Sequence, residues 1–505
     1  MLERLAPGEG LRRALTFASV VFAGSVYGGA TTIANAVLPQ MQGDLSASLE
    51  QVSWVVTASV VAGAIGTPTT PWLAARFGAK QLLIGSLVLF TFASTMIGLS
   101  STLPEVIIWR IIQSITGAPI LALSQTFTLS AYPARYRSRV LAIWSAGLTC
   151  GWVFAPAIGA WLADQHSWRL VFLVLAPLGV GSIVMCWIFV PATSRDARLQ
   201  FDWFGFTALA VALAGLQVVL NRGQRLDWFD SSQILIWTAV ALIALYLFVA
   251  HSLTTKKPFI NWGVFQDRNL SVGILLVFTF AYISLTPLVI TPGMLERLRG
   301  LELVTIGFVL VPRGFVQLIV LLAITPLVGR VDSRLLISTG FAIYAVGSAM
   351  MANYNLEVGI WDVIIPLTLQ GVAMSIIWLP IFNMMYSTLD ENYRTDAAAL
   401  MGLAYSLSSS AGVAVSVTLI SRTSQTSTEE LSGNLVHGNE LLRHPEYADW
   451  DLNAIESLAS MQAEVAQQAL MIGYVNVFWM LTIVCVAAIP IVLVFGTSGI
   501  APKHK

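Results

Sequence analysis

"IIWRIIQSITGAPILALSQTF", Ile107 to Phe127, is the stretch on which the reading of this chain turns. A helix needs roughly 20 apolar residues to cross a hydrocarbon core about 30 Å thick, and this run supplies them while carrying Arg110 inside it. At roughly 1.5 Å per residue, Arg110 lies about 9 Å from the polar start of the helix. A cation at that depth either snorkels back to the interface along its stem or has a functional role, because an unpartnered charge in lipid is costly. Gln113, three residues on, shares the face of Arg110, and Gln125 can line the same space a few turns further down. Glu105 is turned about 140° away from Arg110 at roughly 100° per residue, and its Pro-Glu context reads as an ordinary helix start.

The same apolar pattern fills the chain. Of its 505 residues 56% are hydrophobic and only 11% charged, and the mean hydropathy is +0.76, which places it among membrane proteins. The 27 basic and 27 acidic residues cancel, so no bulk field points to nucleic acid. Cys150, Cys186 and Cys485 fall inside apolar runs, with no CxxC and no neighbouring histidine pair, and read as core packing. The first run, from about Ala14 to Val37 behind Arg4, Arg12 and Arg13, is too long for a signal-peptide core and reads as an uncleaved first helix. Apolar runs against short polar breaks predict an all-α protein of fourteen spans. They start near residues 14, 51, 80, 104, 139, 168, 202, 232, 270, 302, 334, 362, 395 and 469.

Most of the lysines and arginines, among them Arg76, Lys80, Arg139, Arg268, Arg330 and Arg334, fall on the face shared by the two ends of the chain, while Arg110 and Arg313 fall inside spans. The positive-inside rule then puts both termini in the cytoplasm. One acidic loop, from about Arg422 to Gln468, should lie outside the cell. Its last part, "NAIESLASMQAEVAQQAL", has the spaced apolar residues of an amphipathic helix leading into the final span. His437 and His444 in this loop have no metal-ligand company and read as surface residues.

Three motifs in order, "WLAARFGAKQLL" between the second and third spans, the opening stretch in the fourth, and "GLTCGWVFAPAIGA" at Gly147 to Ala160 in the fifth, resemble signatures of the major facilitator superfamily. "WRLVFLVLAPLG" at Trp168, "LQVVLNRGQRLDWFDSSQ" at Leu216 and "FWML" at Phe478 resemble its fourteen-helix drug:proton antiporters, in particular the EmrB-type multidrug export pumps. The resemblance covers nearly the whole chain. It implies two six-helix bundles, residues 14–200 and 256–505, separated by two extra helices at 201–255, with an extracytoplasmic loop at 422–468. Alternating access would come from rocking one bundle against the other about a central cavity. Arg110 matches the family arginine associated with proton coupling. Arg76, Gly78 and Lys80 match the loop that helps hold the inner gate, although Ala75 stands where that loop usually has aspartate. The plainer reading of Arg76 and Lys80 is that they anchor topology. Gly147, Gly151, Pro156 and Gly159 stand as gate or hinge residues, and Arg313 in "VPRGF" faces either the cavity or a neighbouring helix.

Departures from the family matter as much. "GGATTIANAVLP", Gly28 to Pro39, puts Ala30 where the first helix commonly has aspartate, followed by matching Thr31, Thr32, Ile33, Ala34 and Asn35. Asn476 stands where the last helix often has an acid, and Tyr405 where some relatives have arginine. Thr31, Asn35 and Asn476 are candidates for the substrate or coupling path. The acids near the spans, Asp44, Glu105, Asp202, Asp362 and Asp396, sit at helix ends. A buried carboxylate is the usual carrier of the coupled proton, because burial and neighbouring charge shift its pKa. Either a weakly acidic substrate carries its own proton, or Glu105, Asp202 or Asp396 lies deeper than its sequence position suggests. A cavity lined by tryptophan and phenylalanine, with Arg110 and Arg313 as its charges, favours neutral or anionic lipophiles over cations.

The leading function is therefore a secondary active, proton-linked exporter of lipophilic compounds in the inner membrane, acting in multidrug efflux and antibiotic resistance. The resemblance implies a periplasmic adaptor and an outer-membrane channel as partners, with the acidic loop as the adaptor's site; the plainer reading of that loop is a solvated cap. Two alternatives stand: a dedicated metabolite exporter or facilitator without proton antiport, and a transporter-fold sensor or scaffold. Nothing suggests an enzyme, since the chain has no nucleotide-binding loop, zinc-ligand cluster or nucleophile motif, and no cofactor is expected.

Overall fold

Among the described residues, fourteen helices are long and apolar enough to cross a membrane, and the protein is a multi-pass membrane protein. The computed structural model describes residues 9–133, 136–193, 201–255, 258–260, 262–325, 327, 330–390, 393–433 and 455–495. The side chains of Asn35 and Asp396 lie outside what is described, as do His437, His444 and the rest of 434–454. The first seven spans are Gly10–Ile33, Gln51–Phe77, Ala79–Leu99, Leu103–Ala131, Arg139–Gln165, Trp168–Phe189 and Trp203–Arg222. Ser232–Thr254, Arg268–Arg299, Thr305–Ile324, Ser333–Met351, Ile360–Ser387, Leu400–Gly433 and Ser457–Leu493 complete the set. An even number of crossings leaves Gly10 and Leu493 on one face, the terminal face, and the loop after the thirteenth span on the other, the loop face.

Of the acids that the sequence puts at helix ends, Glu105, Asp202 and Asp362 cap those ends. Glu105 accepts the backbone N–H groups of Ser101 (3.0 Å) and Thr102 (3.3 Å) at the start of the fourth span, and Asp362 accepts that of Gly359 (2.9 Å) before the twelfth. Asp202, Asp267 and Asp332 accept from the first turns of the seventh, ninth and eleventh spans. Each carboxylate satisfies donors that a helix start would otherwise leave unpaired. Gly78 joins the second and third spans at φ +91°, a backbone conformation that a side chain would strain.

Prolines inside the spans cannot donate to the carbonyl four residues back, and in a membrane that carbonyl needs another donor. Three are served from neighbouring segments. Thr32 Oγ1 donates to Trp152 O (3.3 Å), orphaned by Pro156; Tyr344 Oη to Ile283 O, orphaned by Pro287; and Tyr354 Oη to Asp362 O (2.8 Å), orphaned by Pro366.

Two apolar cores form. One draws on the first six spans, with Leu87, Phe90, Ile97, Ile120 and Phe172 at its centre; the other draws on the ninth to fourteenth, with Leu276, Phe341, Tyr344, Met374 and Phe478. The seventh span packs on both the second and the thirteenth, while the eighth packs on the seventh and leaves most of its surface to lipid. Cys186 and Cys485 are buried, Cys150 half-buried, and all three are free. The thirteenth and fourteenth spans belong to single helices, Arg394–Gly433 and Ile455–Leu493, of 40 and 39 residues. The amphipathic stretch before the last span is thus one continuous helix with it, and helix occupies both flanks of the 422–468 loop. At roughly 1.5 Å per residue each is about 60 Å long, twice the hydrocarbon thickness, so the pair continues past the membrane.

Candidate functional site

Arg110 is 2% exposed. Its Nη1 donates to Gln113 Oε1 (2.6 Å) and to the backbone oxygen of Ala30 (3.3 Å), and Gln113 Nε2 donates in turn to Ser94 Oγ (2.7 Å) on the third span. The guanidinium lies 5.9 Å from the centre of the Phe172 ring. Arg110 has no carboxylate partner among the described residues, and a backbone carbonyl of Ala30 receives it where the family pattern supplies an acid. Arg110 and Gln113 do meet, as their spacing requires, inside the N-terminal core; Arg110 does not snorkel. Gln125 is half-buried and makes no side-chain hydrogen bond with a described residue.

Arg313 is 3% exposed. A Cβ on Gly371 would stand 2.3 Å from the Arg313 carbonyl oxygen, so that glycine lets the tenth and twelfth spans touch. The Arg313 side chain crosses to the ninth span, where Nη2 donates to Ser284 O (2.9 Å), and its Nη1 has no partner among the described residues. Asn476 is half-buried on the last span and likewise makes no side-chain hydrogen bond to a described residue.

The small residues of the opening segment and of "GLTCGWVFAPAIGA" form one seam. A Cβ on Gly147 would meet Val21 at 2.4 Å, one on Gly151 the Ser25 carbonyl oxygen at 2.3 Å, and one on Gly159 Ile33 at 2.5 Å. The fifth span thus presents a small residue every fourth position to the first, and the two backbones come into contact. Pro156 lies on this seam through its orphaned carbonyl. Thr31, a candidate from the sequence, is exposed and turns back to its own Gly28 O (2.6 Å); its neighbour Thr32 makes the cross-span bond. Lys80 Nζ donates to Trp187 O (2.8 Å) at the end of the sixth span, a favourable place for a cation, and its backbone N–H meets Thr193 Oγ1 (3.3 Å). Arg76 is half-buried nearby in the last turn of the second span.

Two features depend on contacts between distant segments. Near the terminal face, Leu141, Trp144 and Leu148 of the fifth span, Leu321 of the tenth, and Leu379 and Phe382 of the twelfth share one apolar cluster. All lie within about three turns of the ends of their helices on that face, so the two cores are sealed together there. Second, Asp202 is 11% exposed, with Oδ1 2.9 Å from His251 Nε2 and Oδ2 accepting from Phe259 N–H (3.0 Å). This acid stays at the start of the seventh span, where it caps Gly205, and is screened there by the eighth span and the segment around Phe259. At the loop face, Asp44 accepts from Trp168 Nε1 (2.9 Å) and from Arg169, which also reaches Ser100 O (3.3 Å). Those two donors hold the Asp44 carboxyl below the usual carboxylate range.

Set beside known proteins, the sequence model of the Major Facilitator Superfamily matches residues 20–413. The multidrug export protein EmrB of Haemophilus influenzae is 29% identical over 458 residues, covering 89% of each chain. The fatty acid resistance protein FarB of Neisseria gonorrhoeae is 28% identical over 470 residues, covering 92% of each. Among solved structures, the proton:xylose symporter XylE superposes with a TM-score of 0.60 at 12% identity over 94% of this chain and 95% of that one, which is a likeness of fold.

Proposed function

Since the chain belongs to the Major Facilitator Superfamily, we propose that it is a multidrug exporter of lipophilic compounds, hydrophobic weak acids and neutral toxins first among them, working by alternating access in the inner membrane. Similarity to EmrB and to the fatty acid resistance protein FarB supports the substrate class. The carrying observation is that Arg110 and Arg313, both buried, lack a carboxylate partner among the described residues, so an anionic or neutral guest meets no competing acid.

On this reading the terminal face is cytoplasmic, residues 14–200 and 256–505 are the rocking bundles, and 201–255 lies between them. The apolar cluster around Trp144 and Phe382 is then a closed inner gate. The seam through Gly147, Gly151, Pro156 and Gly159 holds the first and fifth spans together as the gate works, and Arg76, Gly78 and Lys80 brace the loop beneath it. Arg110 with Gln113 answers to the coupled proton; Gln125, Thr31, Asn35 and Asn476 belong to the substrate path. The proton enters with a weakly acidic substrate or through Asp202, which is 11% exposed and paired with His251, whereas Glu105 is exposed. A periplasmic adaptor feeding an outer-membrane channel would dock on the acidic loop at 422–468, whose described flanks extend past the membrane.

Reconstitution in liposomes with an imposed pH gradient tests this reading. Gradient-driven movement of a lipophilic weak acid by the wild type, lost in Arg110→Ala and kept in Ala30→Asp and Asn476→Asp, is the expected result. Movement that ignores the gradient in the wild type would make the protein a facilitator, and equal activity in all four would remove Arg110 from the coupling path.

A further inference from the structure

The two buried arginines differ in what surrounds them. Arg110 donates from Nη1 to two buried acceptors, Ala30 O and Gln113 Oε1, and lies against Phe172; its Nε has no partner among the described residues, and half-buried Tyr27 fills the space over Gly117. Arg313 has a wall that is not closed. Ser284, whose carbonyl holds Nη2, lies beside Tyr405 of the thirteenth span, and Tyr405 is only half-buried. Its ring stands 6.2 Å from that of Trp378, also half-buried, which lies 5.1 Å from Phe280. Arg313 itself is within electrostatic reach of Tyr405 and Tyr344. A cation with a spare N–H at Nη1 thus sits beside two phenol groups and an aromatic surface that reaches partly exposed space.

Desolvating a guanidinium without an anion is unfavourable, and the deficit is largest where one of its N–H groups has no acceptor. An anion arriving from the exposed side would supply that acceptor through a charge-assisted hydrogen bond. Its apolar remainder would lie on Trp378 and Phe280, with no acid nearby among the described residues to repel it.

We propose that the C-terminal core carries the headgroup subsite for lipophilic carboxylates: Arg313 pairs with the carboxylate, Tyr405 donates a second hydrogen bond to it, and Trp378 and Phe280 support the chain. The assignment rests on the weak-acid reading above and adds which arginine serves it. Arg110 keeps its tie to Gln113 throughout.

Equilibrium binding of radiolabelled laurate to the full chain in nanodiscs, with dodecanamide as a neutral competitor of the same length, tests it. The wild type should bind laurate more tightly than the amide. Arg313→Gln should weaken laurate on the order of tenfold or more and leave the amide unchanged. Arg313→Lys should recover part of the loss by restoring the charge, and Tyr405→Phe, which keeps the ring, should weaken laurate a few-fold. Equal loss of laurate and amide in Arg313→Gln and Arg313→Lys would mean that Arg313 only packs the core, and would overturn the subsite. So would selective loss of laurate in Arg110→Gln with none in Arg313→Gln, a result that leaves the weak-acid reading standing. A wild type that binds the amide as well as laurate would instead refute the weak-acid reading, and the subsite with it.

Discussion

The fourth and twelfth spans are built on one frame, and they diverge at one residue. In each, a capping acid, Glu105 or Asp362, opens the helix, and a glutamine eight residues on reaches a serine of the preceding span: Gln113 to Ser94 at 2.7 Å, Gln370 to Ser348 at 3.4 Å. The serines themselves sit four residues past Phe90 and Tyr344, both buried core residues. Three residues before the glutamine, however, the first frame has Arg110 and the second has Leu367. Gln113 Oε1 accordingly accepts from a guanidinium, whereas Gln370 Oε1 is buried without a donor. The C-terminal core carries its arginine on the tenth span instead. Repetition of the scaffold has therefore not repeated the electrostatics: Arg110 is tied to an amide of its own span, whereas Arg313 reaches a backbone carbonyl of the ninth.

The largest effect should come from the backbone seams, which are also repeated. Gly412 of the thirteenth span faces the Tyr282 carbonyl oxygen as Gly151 faces that of Ser25, with an added Cβ at 2.6 Å in place of 2.3 Å. Its second neighbour is the Thr286 hydroxyl, which can rotate away, whereas that of Gly151 is the Gly29 backbone nitrogen. Gly151→Val should destabilise the protein by about 3 kcal/mol or prevent its folding, and Gly412→Val by less, read as thermal unfolding in detergent. Equal losses would show that the two seams are mechanically equivalent.

Next comes the amide pair. Gln113→Leu leaves the charged Arg110 short of an acceptor and should cost about 1–3 kcal/mol, while Gln370→Leu removes an unpaired acceptor and only long bonds to Ser348 and Met351, and should cost less. The reverse order would break the comparison outright. Smallest is a pH effect confined to the N-terminal half. Asp44 is depressed in the folded state, so its contribution is complete above the unfolded value, about 3.9, and is lost as pH falls through the lower folded value. The pair with Arg169 is well exposed, so Asp44→Asn should cost only about 0.5 kcal/mol at neutral pH. The difference between variant and wild type should vanish once pH falls below the depressed folded value. On the same face of the C-terminal half, Arg299 binds the Leu356 carbonyl oxygen at 2.9 Å. That acceptor does not titrate, so Arg299→Gln should show no such pH dependence.

Sequence alone locates the spans well because hydropathy and turn residues are local signals: thirteen predicted starts lie within a few residues of the observed ones. The fourteenth, expected near 469, begins earlier because Ile455–Leu493 is one helix and polarity does not end a helix where the bilayer ends. The Arg110 and Gln113 contact is legible from a three-residue spacing. What escapes is every arrangement that needs two distant segments at once. The burial of Asp202 depends on His251 and Phe259; the sealing cluster needs three spans; and the choice of Thr32 over Thr31 is set by which carbonyl Pro156 leaves vacant. Gln370 carried no signal until its counterpart in the repeat was known.

The bond from Thr32 to the carbonyl that Pro156 vacates joins residues 120 apart in the chain. At about 5–20 residues per second of synthesis, the first span waits on the order of ten seconds in the ribosome's wake before the fifth exists to receive its small-residue face. During that interval its glycine-lined face has no fifth span to pack on, so the closest backbone contact of the N-terminal half is among the last that half can make during synthesis.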